Sequence, residues 1–475
     1  ARAVWSKMAR TSCTLALLII LPGALAFAPA TGRPLVRFSS PRKAATLVET
    51  PKEKSVAQED AWIDKLDYKG FGAEVTALGR ELEAGQGEAD IKHLKKMRLW
   101  SAACGVVGIS TMALQGPFGL PFNPVAAMSL SLWWFSRWTM IAHHTCHGGY
   151  NRAGDVGRFR SNTFALGAAG LDSVKARTRD WLDWMLPEAW NHEHNSLHHY
   201  KLGEDADPDL VERNLEFVRK WKCPLAFKYA YVGAMACVWK WAYYSPNTFK
   251  QLKLQEHKAA LKSGKDVKPL PADFDPNEAL TILGALAKPR NRGGLFSPLE
   301  FLARCVGPVL GLRVLLAAPL LLFGSQIPIP VFLEAASGAE LFTRALITLA
   351  VADVITNLHG FLTIVTNHAG RDLYRFPDAC PPGSPTFFMR QVVSSANYRT
   401  GGDANDFMHG FLNYQVEHHA WPSLSMLSYQ RAQPRLKAIC EKYAVPYTQE
   451  SVFVRLVKTL DIMVGRASMR KFPAV

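Results

Sequence analysis

Four apolar blocks of membrane-spanning length, arranged as two pairs, dominate the pattern along this chain. The first pair covers 99–113 and 124–142, split by Gln115-Gly116-Pro117, and the second covers 305–324 and 341–365. At about 1.5 Å per residue such runs are long enough to cross a hydrocarbon core of about 30 Å; the first needs 118–122 to complete it. Trp133, Trp134 and Trp138 suit an interfacial belt. Between the pairs lies a polar block in which 224–244 is aromatic but carries Lys228 and Lys240, the pattern of a helix lying in the interface. The pattern predicts a mainly α integral membrane protein, with four transmembrane helices in two hairpins and a water-facing helical cap. Its divisions are a polar arm at 51–98, a membrane domain at 99–448 and a C-terminal tail at 449–475.

The front of the chain reads as an address. Residues 14–25 are almost wholly apolar, follow Arg10, and end in Ala24-Leu25-Ala26, the basic-apolar-small order of a signal peptide over 1–26. The apolar stretch begins close after Met8, which suits that residue as initiator. Residues 27–50 begin with Phe27, are rich in Arg, Ser, Pro and Ala, and hold no acid before Glu49, which is transit-peptide composition. The two together resemble the bipartite leader that reaches complex plastids. The expected location is a plastid (chloroplast) membrane, with the endoplasmic reticulum membrane as runner-up.

Charge adds little to this picture. The 475 residues carry 55 Lys+Arg against 40 Asp+Glu, a net +15. Seven of those bases lie in 1–48, which leaves +8 for all the rest. No basic run interleaved with aromatics stands out, so nucleic acid is set aside as a partner. Eight cysteines without a C-x-x-C pair offer neither a disulfide framework nor a zinc ribbon.

The histidines change the picture. Nine of the 14 fall in three short clusters: His143-His144-Thr145-Cys146-His147, then His192-Glu193-His194-Asn195-Ser196-Leu197-His198-His199, then Gln415-Val416-Glu417-His418-His419. On a helix, positions i and i+4 share a face, so His143/His147 and His194/His198 can each aim two imidazoles at one point. His199 and His419 can then reach a second metal beside the first. An all-imidazole set of this size exceeds a tetrahedral zinc site and suits two oxygen-binding irons. Asp353 and His359, inside the last apolar block, are ionisable groups at membrane depth and default to a functional reading. His93 and His257 sit in ordinary polar surroundings.

The order H-x-x-x-H, H-x-x-x-H-H, Q-x-x-H-H, split by apolar pairs, resembles the membrane fatty acid desaturase superfamily over 99–448. The stretch His409-Gly410-Phe411-Leu412-Asn413-Tyr414-Gln415-Val416-Glu417-His418-His419-Ala420-Trp421-Pro422 carries most of the likeness. Gln415 in place of a histidine, and the segment 439–447, resemble the front-end branch, whose members place a double bond between an existing one and the carboxyl end. The resemblance implies metal ligands at His143, His147, His194, His198, His199, His368, His418 and His419. It implies supporting roles for Gln415, Asn195 and Glu417, and for His144, which stands where an acid is usual. The second box also has three residues before its His pair, where two is commoner. His192, His359 and His409 are not required by the pattern and read as structural.

What this likeness implies in function is an oxidoreductase. Two hydrogens leave adjacent carbons of a membrane-bound acyl lipid to give a cis alkene and water, with two iron ions as cofactor, O2 as co-substrate and two electrons from outside. Many front-end members carry a fused cytochrome marked by His-Pro-Gly-Gly; its absence here points to an external donor, ferredoxin in a plastid, and a galactolipid as acyl carrier. Arg160, Lys175, Arg177 and Arg179 are the candidate docking surface for an acidic ferredoxin. The competing readings are a sphingolipid desaturase or a carotenoid hydroxylase or ketolase of the same superfamily, and a non-catalytic membrane metal-binding or transport protein.

Overall fold

A computed structural model of the chain describes residues 59–166, 171–326 and 336–473. The expected leader, 1–26 and 27–50, lies outside the described residues. The chain divides into two compact units, Ala1–Asp67 and Tyr68–Val475. In the first, the described part holds one short turn, Ile63–Lys65. The second carries the long helices and all three histidine clusters.

Phe71, Val75, Leu78 and Leu82 recur at helical spacing and form the buried stripe of the helix Tyr68–Ala84. Gly79 lies on the same helix because Trp421 fills the space a side chain would need: a Cβ there would stand 2.3 Å from the indole nitrogen. The next helix, Glu88–Thr111, begins where the Asp90 carboxylate accepts the Gly87 N–H at 2.9 Å. It runs unbroken across the division expected at 98/99, so the polar arm and the first apolar block are one element. Gly105 and Gly108 on it face Trp133 and Leu130 so closely that no Cβ would fit. This draws the helix tightly against Pro124–Phe135, whose first turn is capped by the Asn123 side chain accepting from the Val125 and Ala126 N–H groups.

Pro124–Phe135 widens into a π-helical turn over Ser136–Ala142 and closes with His143–Cys146. Two further helices, Pro298–Phe323 and Gly338–Asn367, are the ones among the described residues that are long and apolar enough to cross a membrane. The first pair falls short of that for a physical reason. Glu88–Thr111 spends its first turns on charged residues, and Pro124–Phe135 has only 12 before its geometry changes. Asp353, inside the helix Gly338–Asn367, is not free for chemistry. Arg313 donates to both its oxygens, at 2.9 and 3.2 Å, and the Trp184 indole N–H adds a third bond at 3.2 Å. His359 stacks on Phe135 at 3.8 Å and donates to the Met408 carbonyl.

The segment 224–244 forms the helix Leu225–Ala236 and a π-helical turn Lys240–Tyr244. Its lysines do not reach out to water, as an interfacial helix would require. Lys228 donates to the carbonyls of Arg219 and Val464, and Lys240 pairs with Asp183 at 2.6 Å with both side chains 1% exposed.

Two small parallel strand pairs fasten the end of the chain: Tyr374–Arg375 with Arg470–Lys471, and Ala396–Tyr398 with Thr448–Glu450. Runs of two or three residues are too short to show alternation, so the hydrophobic pattern carries no sign of them. The helix Val452–Val464 comes next, with Arg455 wholly buried, paired with Asp372 at 2.8 Å and donating to the Ala369 carbonyl. The division expected at 448/449 therefore falls within a strand, and the tail beyond it is built into the same unit. His93 also departs from expectation. It is 7% exposed, bonds Asp403 at 3.2 Å and meets Phe411 edge-on.

Candidate metal centre

Four stretches of chain deliver imidazoles to one place. The π-helical turn Ser136–Ala142 leads into His143–Cys146 and His147. Pro187–Glu193 becomes a second π-helical turn over His194–His198, followed by His199–Lys201. His368 comes after the short turn Val365–Asn367 at the end of the last span. Gln415–Ala420 is a single helical turn and a half carrying His418 and His419. Both π-helical turns lie at the centre itself, and such turns often mark functional sites because they re-aim side chains.

The imidazoles fall into two groups, in each of which one nitrogen per ring lies within 4.8 Å of all the others. His143, His147, His194, His199 and His418 form the larger group, and His198, His368 and His419 the smaller. The structure thus brings together all eight histidines singled out from the sequence. It sorts the second box differently, however. His194 falls with His199 in the larger group, while His198 faces the smaller. In an i→i+5 turn, positions five apart come into line where an α-helix would align four apart. His194 and His198 also come within the same 4.8 Å of the Asp209 carboxylate.

The contacts within the groups are between ring nitrogens. His143 Nε2 stands 2.9 Å from His418 Nε2 and 3.0 Å from His194 Nε2, and His199 Nε2 is 3.2 Å from His194 Nε2. In the smaller group His419 Nε2 is 3.3 Å from His368 Nε2, and the Gln415 amide nitrogen is 2.9 Å from that same atom. On the far side of the rings, oxygen atoms fix the tautomer. His143 Nδ1–H donates to the Thr139 carbonyl at 3.1 Å, His418 Nδ1–H to the Tyr429 hydroxyl at 3.1 Å, and His198 Nδ1–H to Asp207 at 2.9 Å. A ring that donates from Nδ1 presents a lone pair at Nε2, the arrangement a ligating histidine needs.

Burial, and then the neighbouring imidazoles, push His143, His147, His194, His199, His418 and His419 well below their ordinary range. Burial pushes His368 down to about 3. Neutral imidazoles crowded lone pair to lone pair satisfy each other poorly, and the Nε2 of His147 is buried with no hydrogen-bond partner. A cation answers both problems, and an all-nitrogen donor set suits iron, zinc, copper or nickel. His198 is the exception. Burial disfavours its protonated form, but the charge and hydrogen bond of Asp207 outweigh that and raise it.

Three of the supporting residues expected from the sequence act elsewhere. Glu417 takes the Asn397 amide at 2.7 Å and the Tyr447 hydroxyl at 2.6 Å, with its carboxyl pushed up to about 7 by burial; it orients the backbone of the third box, not a ring. Asn195 donates to Asn191 and to the Cys146 carbonyl. His144 donates to the Met140 carbonyl and stands outside both groups, because consecutive positions on a helix point apart. Gln415 does stand at the smaller group. The oriented rings depend instead on Asp207, Tyr429 and Thr139, which the sequence reading missed. Asp207 lies in the run Glu204-Asp205-Ala206-Asp207-Pro208-Asp209, where several acids compete and spacing selects none. Of the candidate docking residues, Arg177 is buried and donates to the carbonyls of Arg304, Asp183, Met185 and Cys305, so it offers nothing to a partner.

A cavity of about 540 Å3 opens onto both groups. His143, His194, His198, His368 and Gln415 line one part of it, and Trp138, Met235, Trp239, Phe361 and Ile364 continue it as an apolar passage. Its polar lining includes Glu216, Asp275 and Glu278 against a single arginine, Arg213.

The family model described as fatty acid desaturase matches residues 119–451. The chain is 24% identical over 404 residues to a protein of Mycobacterium tuberculosis named NADPH-dependent stearoyl-CoA 9-desaturase, covering 84% of this chain and 80% of that protein. It is 26% identical over 120 residues to an acyl-lipid (9-3)-desaturase of Physcomitrium patens, covering 25% and 21%. It is 27% identical over 111 residues to an acyl-lipid (8-3)-desaturase of Mortierella alpina, covering 23% and 25%. No solved structure matches.

Proposed function

Because the chain belongs to the fatty acid desaturase family, we propose that it is an O2-dependent membrane enzyme that introduces a cis double bond into the acyl chain of a membrane lipid, at a front-end position. The balance is –CH2–CH2– plus O2, two electrons and two protons, giving –CH=CH– and two waters. The observation that carries this reading is the convergence of eight imidazoles, in groups of five and three, beside a largely apolar cavity that His143, His194, His198 and His368 border.

In this proposal His143, His147, His194, His199 and His418 hold one iron, and His198, His368 and His419, with Gln415 beside them, hold a second. Bound iron supplies the redox and oxygen chemistry that no side chain possesses. The chain's own part is to orient the rings through Thr139, Tyr429 and Asp207, to hold the acyl chain extended along Trp138, Trp239 and Phe361, and to keep bulk water from it. Carboxylates outnumber arginine in the polar lining of the cavity, which disfavours a polyphosphate carrier and favours a lipid-borne chain such as a galactolipid. Electrons come from an external donor of the ferredoxin type, and the leader at 1–50 directs the chain to a plastid membrane.

Four helices cross that membrane in this reading. In support, Glu88–Thr111, Pro124–Phe135, Gly338–Ile364 and Gly307–Phe323 lie side by side in that order, and Leu99, Val106, Leu315 and Leu322 on the outer two are exposed apolar residues. The test is expression in a host supplied with candidate acyl lipids, followed by fatty-acid profiling and metal analysis. A new double bond together with bound iron is the expected result. Zinc or no metal, with an unchanged acyl profile, rejects the proposal.

A further inference from the structure

Two helices that help to line the histidine cavity, through Val232 and Met235 on one and Met463 on the other, are turned inside out. In Leu225–Ala236, Lys228 is buried and donates to the carbonyls of Arg219 and Val464, while Leu225 and Phe227 are exposed, Phe227 to 62%. In Val452–Val464, Arg455 and Thr459 are buried and donate to the Ala369 carbonyl, while Phe453, Val454 and Val457 are exposed, Phe453 to 61%. A helix bordering water does the reverse and buries its apolar stripe. Here the protein takes the place of water on the polar side of both helices. The two pack against each other, where the Tyr229 hydroxyl donates to Asp461 at 3.1 Å, and both pack against the span Gly338–Asn367.

Exposed apolar surface of this kind marks a place where something other than water is met. The bilayer is the occupant that the surroundings fit. The two helices adjoin a helix of membrane-spanning length. Beside them stand Lys220, Trp221 and Lys222, all exposed, and Arg466 just past the second helix, the basic and aromatic side chains that belong at headgroup level. The histidine cavity also reaches the surface here. Phe217 lines it and is 57% exposed, and Tyr231, which lines it too, meets Phe217 and Trp221 edge-on at 5.7 and 6.0 Å. A second exposed rim of the cavity is polar, at Asp275, Asn277 and Glu278. A hydrocarbon tail gains nothing by passing carboxylates in water, but past the aromatic rim it moves from one apolar medium into another.

We propose that the outward sides of Leu225–Ala236 and Val452–Val464 lie in the bilayer, and that the acyl chain enters the histidine cavity from there, past Phe217 and Tyr231. The headgroup stays outside, in the leaflet that the two helices occupy. The seating of the helices rests on the burial pattern and its surroundings alone. The entry route rests also on the desaturase reading.

The experiment places the full chain in phosphatidylcholine nanodiscs, with the photoreactive residue benzoylphenylalanine at one position at a time, and reads lipid adducts by mass spectrometry after illumination. Phe227, Phe453 and Val457 line no part of the histidine cavity, so an adduct there reports the bilayer and not a chain held at the imidazoles. Each of the three should form about fivefold more lipid adduct than Ala438, which is exposed on the polar helix Met426–Lys442. Adducts no more abundant than at Ala438, or adducts to a second copy of the chain or to another protein instead, overturn the seating. For the entry route, the reactive residue at Phe217 should capture lipid and the same residue at Asn277 should not. Phe217→Asp, which sets a charge on the aromatic rim, should lower conversion of bilayer-held acyl chains about tenfold with iron content unchanged. More capture at Asn277 than at Phe217, or undiminished conversion in Phe217→Asp, overturns the entry route. Adducts at Phe227, Phe453 and Val457 in a chain that forms no double bond would remove the desaturase reading, and the entry route with it, while the seating stands.

Discussion

The two imidazole groups lie side by side but are built on different principles. The larger draws five rings from three stretches of chain, and its far-side bonds end on neutral oxygens, Thr139 and Tyr429. The smaller has three rings, an amide where a fourth could stand, and a carboxylate behind His198. Redundancy of donors secures the first; a buried charge secures the second. Were each group to hold a metal as proposed, the smaller would offer it fewer protein donors than the larger.

The neighbours His418 and His419 serve different groups, and this gives the sharpest test. Either change to Ala should abolish the new double bond without preventing membrane insertion. His419→Ala removes one of three donors and should reduce iron from about two to about one per chain, whereas His418→Ala removes one of five and should reduce it less. Equal metal loss in both variants would break the distinction. Next in size, Asp207→Asn takes the charge from behind His198 and should lower activity or metal affinity about 10- to 100-fold, while Tyr429→Phe should cost no more than about tenfold. Gln415→His adds an imidazole to the smaller group and should slow iron loss to a chelator by about severalfold, with no such gain from a histidine placed at Asn195.

The smallest effect belongs to a site in neither group. Lys96, Gln430 and His93 outweigh the burial of Asp403 and hold its carboxyl down to about 2, from an ordinary 3.8. A lowered carboxyl stabilises the fold above its unfolded value, so that support is complete above pH 3.8 and is lost as pH falls toward 2. The side chain is 21% exposed, which keeps the contribution to about 1 kcal/mol. Melting curves of Asp403→Asn should show a flatter acid limb with unchanged iron content.

These contrasts set the measure of what one dimension conveys. The eight histidines announce themselves because clustering on polar flanks of apolar blocks is rare by chance. Which group each joins is invisible, since it turns on a π-helical step at His194–His198 that has no sequence mark. Asp207 hides among neighbouring acids, and Tyr429 lies ten residues beyond its box. The two long spans are legible as unbroken apolar runs. The first hairpin is less so, because Glu88–Thr111 runs on from charged residues and Pro124–Phe135 changes geometry after 12 residues, neither of which the apolar runs mark. His93 looks ordinary in its charged neighbourhood, yet it is buried by partners more than 300 residues away.

The pairing of Ala396–Tyr398 with Thr448–Glu450 reaches beyond architecture. Asn397, inside the first strand, and Tyr447, next to the second, both hold Glu417, and Asn397 also accepts the Val416 N–H, so the third box is clamped between chain that precedes it and chain that follows it. The first two boxes precede Thr448–Glu450 by more than 240 residues, so the hold on the third box is complete only when the end of the chain is present. A chain cut before Tyr447 would lose one of the two hydrogen bonds that hold Glu417 and, with Thr448–Glu450, the strand that Asn397 sits against.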